Sequence, residues 1–243
     1  MFVPENYEEH VRRDDMYAGL LTGDHARAAQ KTVLCPSYAR LYAENLLDHR
    51  PFKHLKTDHG VLDMGCGAGA ITAAFHSLLG TPAYGIDMSP SAIQYASSQF
   101  RGPEFFHRSA DDLHVIPDES LALVHARGFY PFCRSEDTDL HMRFLDAAKP
   151  KLVSGGIFAV VQVNDPTAHV GVDDSFVQLQ HRARDSGYGR ADFCVMVPQF
   201  FRRRFGRIGY LPGVYDALSL SGHVLEAAKP GLVSFIYWFM KSD

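Results

Sequence analysis

The chain has only four cysteines in its 243 residues, at positions 35, 66, 133 and 194. No two of them form a C-x-x-C pair or stand at zinc-ligand spacing, which argues against a structural zinc site and predicts reduced thiols in a cytoplasm. Basic excess is missing too. With 24 Lys and Arg against 28 Asp and Glu, the formal net charge is −4, so a general nucleic-acid binder is not expected, because phosphate backbones demand positive charge. The longest apolar run, Leu232 to Met240, has about half the length needed to span a bilayer. The opening Met1-Phe2-Val3-Pro4-Glu5 lacks the basic flank and apolar core of a signal peptide. There is no internal repeat and no low-complexity segment. These absences predict a cytoplasmic protein with no nucleic-acid and no membrane partner. At 46% hydrophobic residues, it can bury a full core as one domain with an elaboration.

What is present centres on Val61-Leu62-Asp63-Met64-Gly65-Cys66-Gly67-Ala68-Gly69-Ala70-Ile71-Thr72. A short apolar run ends near an acid, passes through three alternating glycines and enters an apolar helical pattern, the signature of strand, tight turn and helix. Glycines there allow positive φ and close approach of a ligand, while the helix presents unpaired N–H groups toward it. Gly65, Gly67 and Ala70 also satisfy the loose dinucleotide pattern, so NAD or FAD competes for the turn. Asp63 argues otherwise, because a carboxylate two residues before the first glycine repels a pyrophosphate and suits a cationic ligand. A second strand, Ala83 to Asp87, ends 22 residues past Gly65, which places Asp87 where it can accept bonds from both ribose hydroxyls. Ser89-Pro90 then opens a helix from Ser91 to Phe100.

The order Asp63-x-Gly65-x-Gly67-x-Gly69, followed by Ile86-Asp87-Met88-Ser89 and Ala92, resembles motifs I and II of the class I S-adenosylmethionine-dependent methyltransferase family. The resemblance implies an α/β fold: a Rossmann-like, seven-stranded, mostly parallel sheet with helices on both faces and an antiparallel C-terminal strand pair. It also implies S-adenosyl-L-methionine as cofactor and S-adenosyl-L-homocysteine as product. Cofactor contacts are implied at Asp63, Gly65, Cys66, Gly67, Gly69, Asp87 and Met88, and around the adenine at Ser109, Ala110 and Asp111. Family members often carry an acid where this chain has Ser109, which moves the expected acceptor to Asp111; the Asp111-Asp112 pair reads equally as a turn or cap. Arg127, ending the fourth strand Leu121 to Phe129, is expected beside the ligand or in a surface ion pair. Tyr17 and Arg40, on leading helices that often cover the cofactor in this family, are expected either to touch it or simply to pack.

Four segments follow. Residues 1–58 form a helical cap, with pieces Tyr7 to Leu21, Asp24 to Leu34 and Ser37 to Leu47. Residues 59–163 form the cofactor core, with a third strand over 104–108, an amphipathic helix from Leu140 to Leu152 and a fifth strand from Ile157 to Val163. Residues 164–210 are expected to insert over the acceptor, with a helix from Asp173 to Ser186 and a run of arginines (182, 184, 190, 202, 203, 204, 207) suited to an anionic acceptor or merely solvated. Residues 211–243 are expected to supply two strands, Gly222 to Lys229 and Leu232 to Lys241, joined by a Lys-Pro-Gly turn.

The family's histidine pair beyond Arg-Gly is replaced here by Pro131 and Phe132. Candidates for proton removal are therefore His169 and Tyr130, with His141 behind them. His125 reads as a satisfied buried histidine. No metal is expected, because the fourth strand ends in Arg127 and not in an acid. The signatures of DNA-amino, cytosine-C5 and protein-arginine methylation are absent. The expected function is methyl transfer to an oxygen or nitrogen of a small molecule, by a monomer or homodimer. The alternatives are an NAD(P)-dependent oxidoreductase and a non-catalytic protein that binds the cofactor.

Overall fold

The computed structural model describes residues 7–22, 36–55, 58–163, 174–196 and 234–243. Two helices lead, α1 (Tyr7–Leu21) and α2 (Pro36–Leu47), the latter with proline at its first position, where no N–H is needed. There follow β1 (Gly60–Met64), α3 (Ala70–Leu79), β2 (Ala83–Asp87), α4 (Pro90–Gln99), β3 (Glu104–His107) and β4 (Leu121–Arg127). A one-turn helix α5 (Tyr130–Arg134), α6 (Thr138–Ala148), β5 (Leu152–Val163), α7 (Asp174–Asp185), β6 (Tyr188–Met196) and β7 (Ser234–Lys241) complete the described elements.

The seven strands form one sheet in the order β3-β2-β1-β4-β5-β7-β6. The first five run parallel, and β7 lies antiparallel between β5 and β6. Strand order reverses between β1 and β4, which opens the ligand crevice beyond the carboxyl ends of those two strands. Both faces of the sheet are covered, so β1 is buried at every position. On one face Leu62, Val124 and Phe158 pack with Phe144 and Leu145 of α6 and Phe176 and Leu179 of α7. On the other, Val61, Leu123, Ala159 and Trp238 pack with Ala39, Tyr42 and Leu46 of α2 and Ile71 and Phe75 of α3. Strand alternation puts Asp63 and His125 on this second face, toward α2 and α3.

The structure departs from the sequence expectations in three places. Helix α6 starts at Thr138 and stops at Ala148, before Pro150: the Asp137 carboxylate caps it by accepting the N–H groups of Asp139 and Leu140. Strand β5 begins at Leu152, because Ser154-Gly155-Gly156 does not end a helix but forms a bulge within the strand, where the β4 pairing shifts register and Gly155 takes φ 74°. The third departure concerns the antiparallel pair. Its second member is residues 188–196, expected from the sequence as part of the segment over the acceptor. The helices expected at Asp24 to Leu34, the strand at Gly222 to Lys229 and its Lys-Pro-Gly turn lie outside the described residues. No helix among the described residues is long and apolar enough to cross a membrane.

Candidate functional site

The turn between β1 and α3 is built by three glycines at φ 71°, 52° and 79°: Gly65, Gly67 and Gly69. The N–H groups of Gly65 and Cys66 both donate to the Ile86 carbonyl, 2.8 and 3.1 Å away, which ties the turn to β2. At Gly67 a side chain is doubly refused: φ is positive, and a Cβ would run into the Tyr17 hydroxyl. Gly69 serves packing, since a Cβ there would meet Ala96 and Phe105 at 2.7 Å. Burial pushes the Cys66 thiol well above its ordinary value, with Asp87 and then Asp63 adding to the rise.

Beneath this turn lies a cavity of about 270 Å³, lined by Asp63, Asp87, Arg127 and the glycine turn. This approaches the usual size of a small-molecule site. Asp63 is 3% exposed. Its Oδ2 accepts the Thr72 hydroxyl at 2.8 Å, and its Oδ1 lies 2.8 Å from His125 Nδ1. His125 is fully buried, and its Nε2 is 2.7 Å from the Tyr42 hydroxyl. Burial raises the Tyr42 phenol far above its ordinary value, with Arg127 opposing and Asp63 adding to the shift. Tyr42 therefore keeps its proton; the Asp63 carboxylate accepts only, so His125 Nδ1–H faces it, and in a neutral imidazole Nε2 then accepts from the Tyr42 hydroxyl. Arg127 lies over the Tyr42 ring, its guanidinium carbon 4.9 Å from the centroid, and donates to the Tyr38 hydroxyl at 3.2 Å. Its Nε is buried without a protein partner.

Asp87 closes the other side of the turn. Its carboxylate accepts the Gly67 N–H at 2.8 Å and the Ser89 N–H at 2.9 Å, so the tip of β2 and the glycine turn hold each other. Above it, Asp14 of α1 accepts from the Ser89 hydroxyl and from the Ser91 N–H at 3.1 Å, while Ser89 accepts from Ala92 to cap α4. Helix α1 thereby lies across the cavity, with Met16 and Tyr17 in its wall. At the far end the wall is Phe129, Tyr130, Pro131 and Phe144, with Phe129 edge-on to Phe144 at 5.1 Å.

The expected site residues separate accordingly. Tyr17, Asp63, Gly65, Cys66, Gly67, Asp87, Met88, Ser109, Ala110, Arg127 and Tyr130 all line the one cavity. Three others do not. Arg40 is exposed and pairs with Glu44 at 3.0 Å. Gly69 lies behind the turn. The Asp111 carboxylate, expected at the adenine, is taken by the Ser109 hydroxyl and the Arg143 guanidinium. His141 is buried, hydrogen-bonded to the Pro131 carbonyl and stacked on Phe132, and burial lowers its pKa, so it supports the wall and does not face the cavity. His169 lies outside the described residues. Of the arginines from 182 on, the described three are engaged elsewhere: Arg182 with Asp139, Arg184 with the Ala191 carbonyl, and Arg190 over Trp238. Sequence reasoning missed Asp14, Met16, Phe129 and Phe144, and it left Tyr42 and His125 as ordinary core. No group of three or more His, Cys, Asp and Glu placed to hold a metal occurs among the described residues.

A doubly wound sheet in this order, with a glycine turn at its reversal point and acids on two neighbouring strand tips, defines the class I, Rossmann-like methyltransferase fold. Residues 61–156 match the family model described as a methyltransferase domain. No curated protein matches the chain. Among solved structures, the plantazolicin methyltransferase BpumL in complex with SAH is similar at TM-score 0.60 and 16% identity, over 97% of both chains. A SAM-dependent methyltransferase from Archaeoglobus fulgidus is similar at TM-score 0.55 and 17% identity, covering 83% of this chain and 94% of that one. Phosphoethanolamine N-methyltransferase 2 from Haemonchus contortus, in complex with S-adenosyl-L-methionine, is similar at TM-score 0.53 and 17% identity, covering 83% of this chain and 53% of that one. Residues 61–156 thus match a methyltransferase domain, and the chain as a whole has the fold of the class I methyltransferases among these solved structures.

The residues present fit the cofactor. The glycine turn lines the cavity at Gly65 and Gly67, and the buried Arg127 Nε is an unpaired donor at that cavity. Asp63 and Arg127 carry opposite charges suited to an α-ammonium and an α-carboxylate, and Asp87 carries acceptor oxygens suited to a ribose.

Proposed function

We propose that this chain is an S-adenosylmethionine-dependent methyltransferase that acts on an oxygen or nitrogen of a small-molecule acceptor. One observation carries the reading: the cavity that holds Asp63, Asp87 and the glycine turn continues, without a break, to the aromatic wall of Phe129, Tyr130, Pro131 and Phe144. An aromatic wall of this kind suits a compact organic acceptor. S-adenosylmethionine supplies an electrophilic methyl group on a sulfonium. The chain's own residues hold the donor's charged tail at Asp63 and Arg127, exclude water with Tyr17 and the aromatic wall, and align the acceptor for in-line attack. Tyr130 is our candidate for orienting the acceptor or taking its proton, and His169 for a base beyond the described residues. Nitrogen as acceptor atom and an anionic group on the acceptor are supported by the name of the Haemonchus contortus protein alone. Arg108 also lines the cavity, but its guanidinium is already paired with Asp112 at 3.0 Å.

The test is transfer of labelled methyl from S-adenosylmethionine into a metabolite extract, followed by identification of the labelled product. A labelled small molecule whose formation slows in Tyr130→Phe, with the KM for S-adenosylmethionine unchanged, supports the reading. Label found only in protein or nucleic acid overturns it.

A further inference from the structure

The donor-side carboxylate is not held by the glycine turn alone. Asp63 and His125 are register partners on β1 and β4, and their side chains meet 2.8 Å apart on the face covered by α2. The chain continues through His125 Nε2 to the Tyr42 hydroxyl at 2.7 Å, and Thr72 of α3 donates to the other oxygen of Asp63 at 2.8 Å. All four side chains are buried. A carboxylate with one oxygen held from α3 and the other from β4 cannot rotate, so its remaining lone pairs keep a single direction, at the cavity that Asp63 lines. Tyr42 also lies beneath Arg127, so one ring touches the supports of both charged groups of the donor's tail site.

We propose that Tyr42 and His125 are positioning residues: the buried relay Tyr42–His125–Asp63 fixes the Asp63 carboxylate for the α-ammonium of the donor's amino-acid tail. Neither residue touches the reacting atoms. Tyr42 stands on α2, outside the residues that match the family model. The proposal rests on the cofactor assignment and adds how the tail half of that site is kept in place. Its consequence is selective: loss of the relay weakens ligands that possess the tail and spares those that lack it, whereas a general packing defect weakens both.

The experiment compares S-adenosylhomocysteine with 5′-methylthioadenosine, which keeps the adenosine and the sulfur but has no amino-acid tail. Calorimetry on the full chain gives the ratio of their dissociation constants for wild type, Tyr42→Phe, His125→Asn and His125→Leu. Tyr42→Phe keeps the ring under Arg127 and deletes only the hydroxyl. His125→Asn retains an N–H donor for Asp63, and His125→Leu retains none. We expect the wild type to prefer the tailed ligand. That preference falls roughly tenfold in His125→Leu, the size of one charge-assisted hydrogen bond. It falls less in Tyr42→Phe and is largely restored in His125→Asn. Binding of methylthioadenosine stays within about twofold throughout, a margin small beside one hydrogen bond. Should His125→Leu fail to fold, Tyr42→Phe decides alone. Equal weakening of both ligands, or an unchanged preference in Tyr42→Phe and His125→Leu, overturns the proposal. A wild-type protein that binds methylthioadenosine as tightly as the tailed ligand also overturns it while leaving the cofactor assignment standing. Binding of neither ligand removes the cofactor assignment itself.

Discussion

Asp14 of α1 and Ser91 of α4 are 77 positions apart in the chain, yet the Asp14 carboxylate accepts the Ser91 N–H at 3.1 Å and, with it, the Ser89 hydroxyl at the same helix start. An acid at a helix N-terminus meets unpaired N–H groups and the positive end of the helix dipole. Here that interaction fastens a covering helix over the cavity. Asp14→Ala should cost about 1 kcal/mol, as lost caps do. Amide hydrogen exchange read by mass spectrometry should rise in α1 while α3 and β1 stay protected. Saturating S-adenosylhomocysteine should restore part of the protection. Unchanged exchange across residues 14–21 would mean that α1 is held by its packing alone.

Gly67 and Tyr17 should behave as a coupled pair. Gly67→Ala meets two obstacles, positive φ and the Tyr17 hydroxyl. The first costs roughly 1–2 kcal/mol for any L side chain. Tyr17→Ala in the same chain removes the second only. The double variant should therefore bind S-adenosylhomocysteine better than Gly67→Ala and worse than Tyr17→Ala. A double-mutant cycle with no coupling would separate the two residues.

Asp87 should distinguish the donor from a dinucleotide. At a hundredfold excess over its dissociation constant a ligand stabilises the fold by about 2.7 kcal/mol, so S-adenosylhomocysteine should raise the melting temperature clearly and NAD should not. Asp87→Asn should weaken S-adenosylhomocysteine by roughly ten- to a hundredfold, because it removes charge from bonds worth about 1.5–3 kcal/mol. A melting temperature raised by NAD and not by S-adenosylhomocysteine would contradict the assignment.

Stability should form a plateau with a limit on each side. Burial raises the pKa values of Cys66, Tyr42 and Tyr188 above their ordinary 9.0, 10.0 and 10.0. Above those values the unfolded chain releases protons that the folded chain retains, so stability falls as pH rises, by at most about 1.4 kcal/mol per group per pH unit. On the acid side, burial lowers His141 below 6.5. The unfolded chain binds this proton more readily than the folded one, so stability present above pH 6.5 is lost as pH falls through that value. Urea midpoints across pH 5–11 should show both limbs. Tyr188→Phe should flatten the alkaline one at some cost in overall stability, since it deletes the 2.7 Å bond to the Leu145 carbonyl.

The strand-turn-helix at Asp63 and the acid at Asp87 were legible because local chemistry writes them: glycines at forced dihedrals, an apolar run, and an acid at a strand end. The bounds of α1 and the nature of α2 were likewise written in helical spacing. Contacts made across the chain were not. His125 lies 62 residues from Asp63 and 83 from Tyr42, and in isolation it could only be read as a satisfied core histidine, which it is. The engagement of Asp111 by Arg143 was hidden for the same reason. Strand β6 was missed because its pairing comes from β7, 38 residues on at Met196–Ser234 and 53 at Tyr188–Lys241, and its opening glycines imitate a stop. The acceptor wall was half visible: Tyr130 could be named from its neighbours, whereas Phe144 reaches the cavity only because α6 packs beneath α5.

Trimming the protein to the part shared with its relatives would expose a hidden seam. Residues 61–156 keep Asp63, Thr72, His125 and Arg127 but discard α2. Water would then reach the imidazole from the side where a phenol now sits, and the guanidinium would lose its aromatic floor. Grafting that portion onto a foreign leading helix would keep the fold's outline and the donor's general footprint. How tightly the graft grips a methionine head would then be set by whatever side chain the new helix offered at position 42.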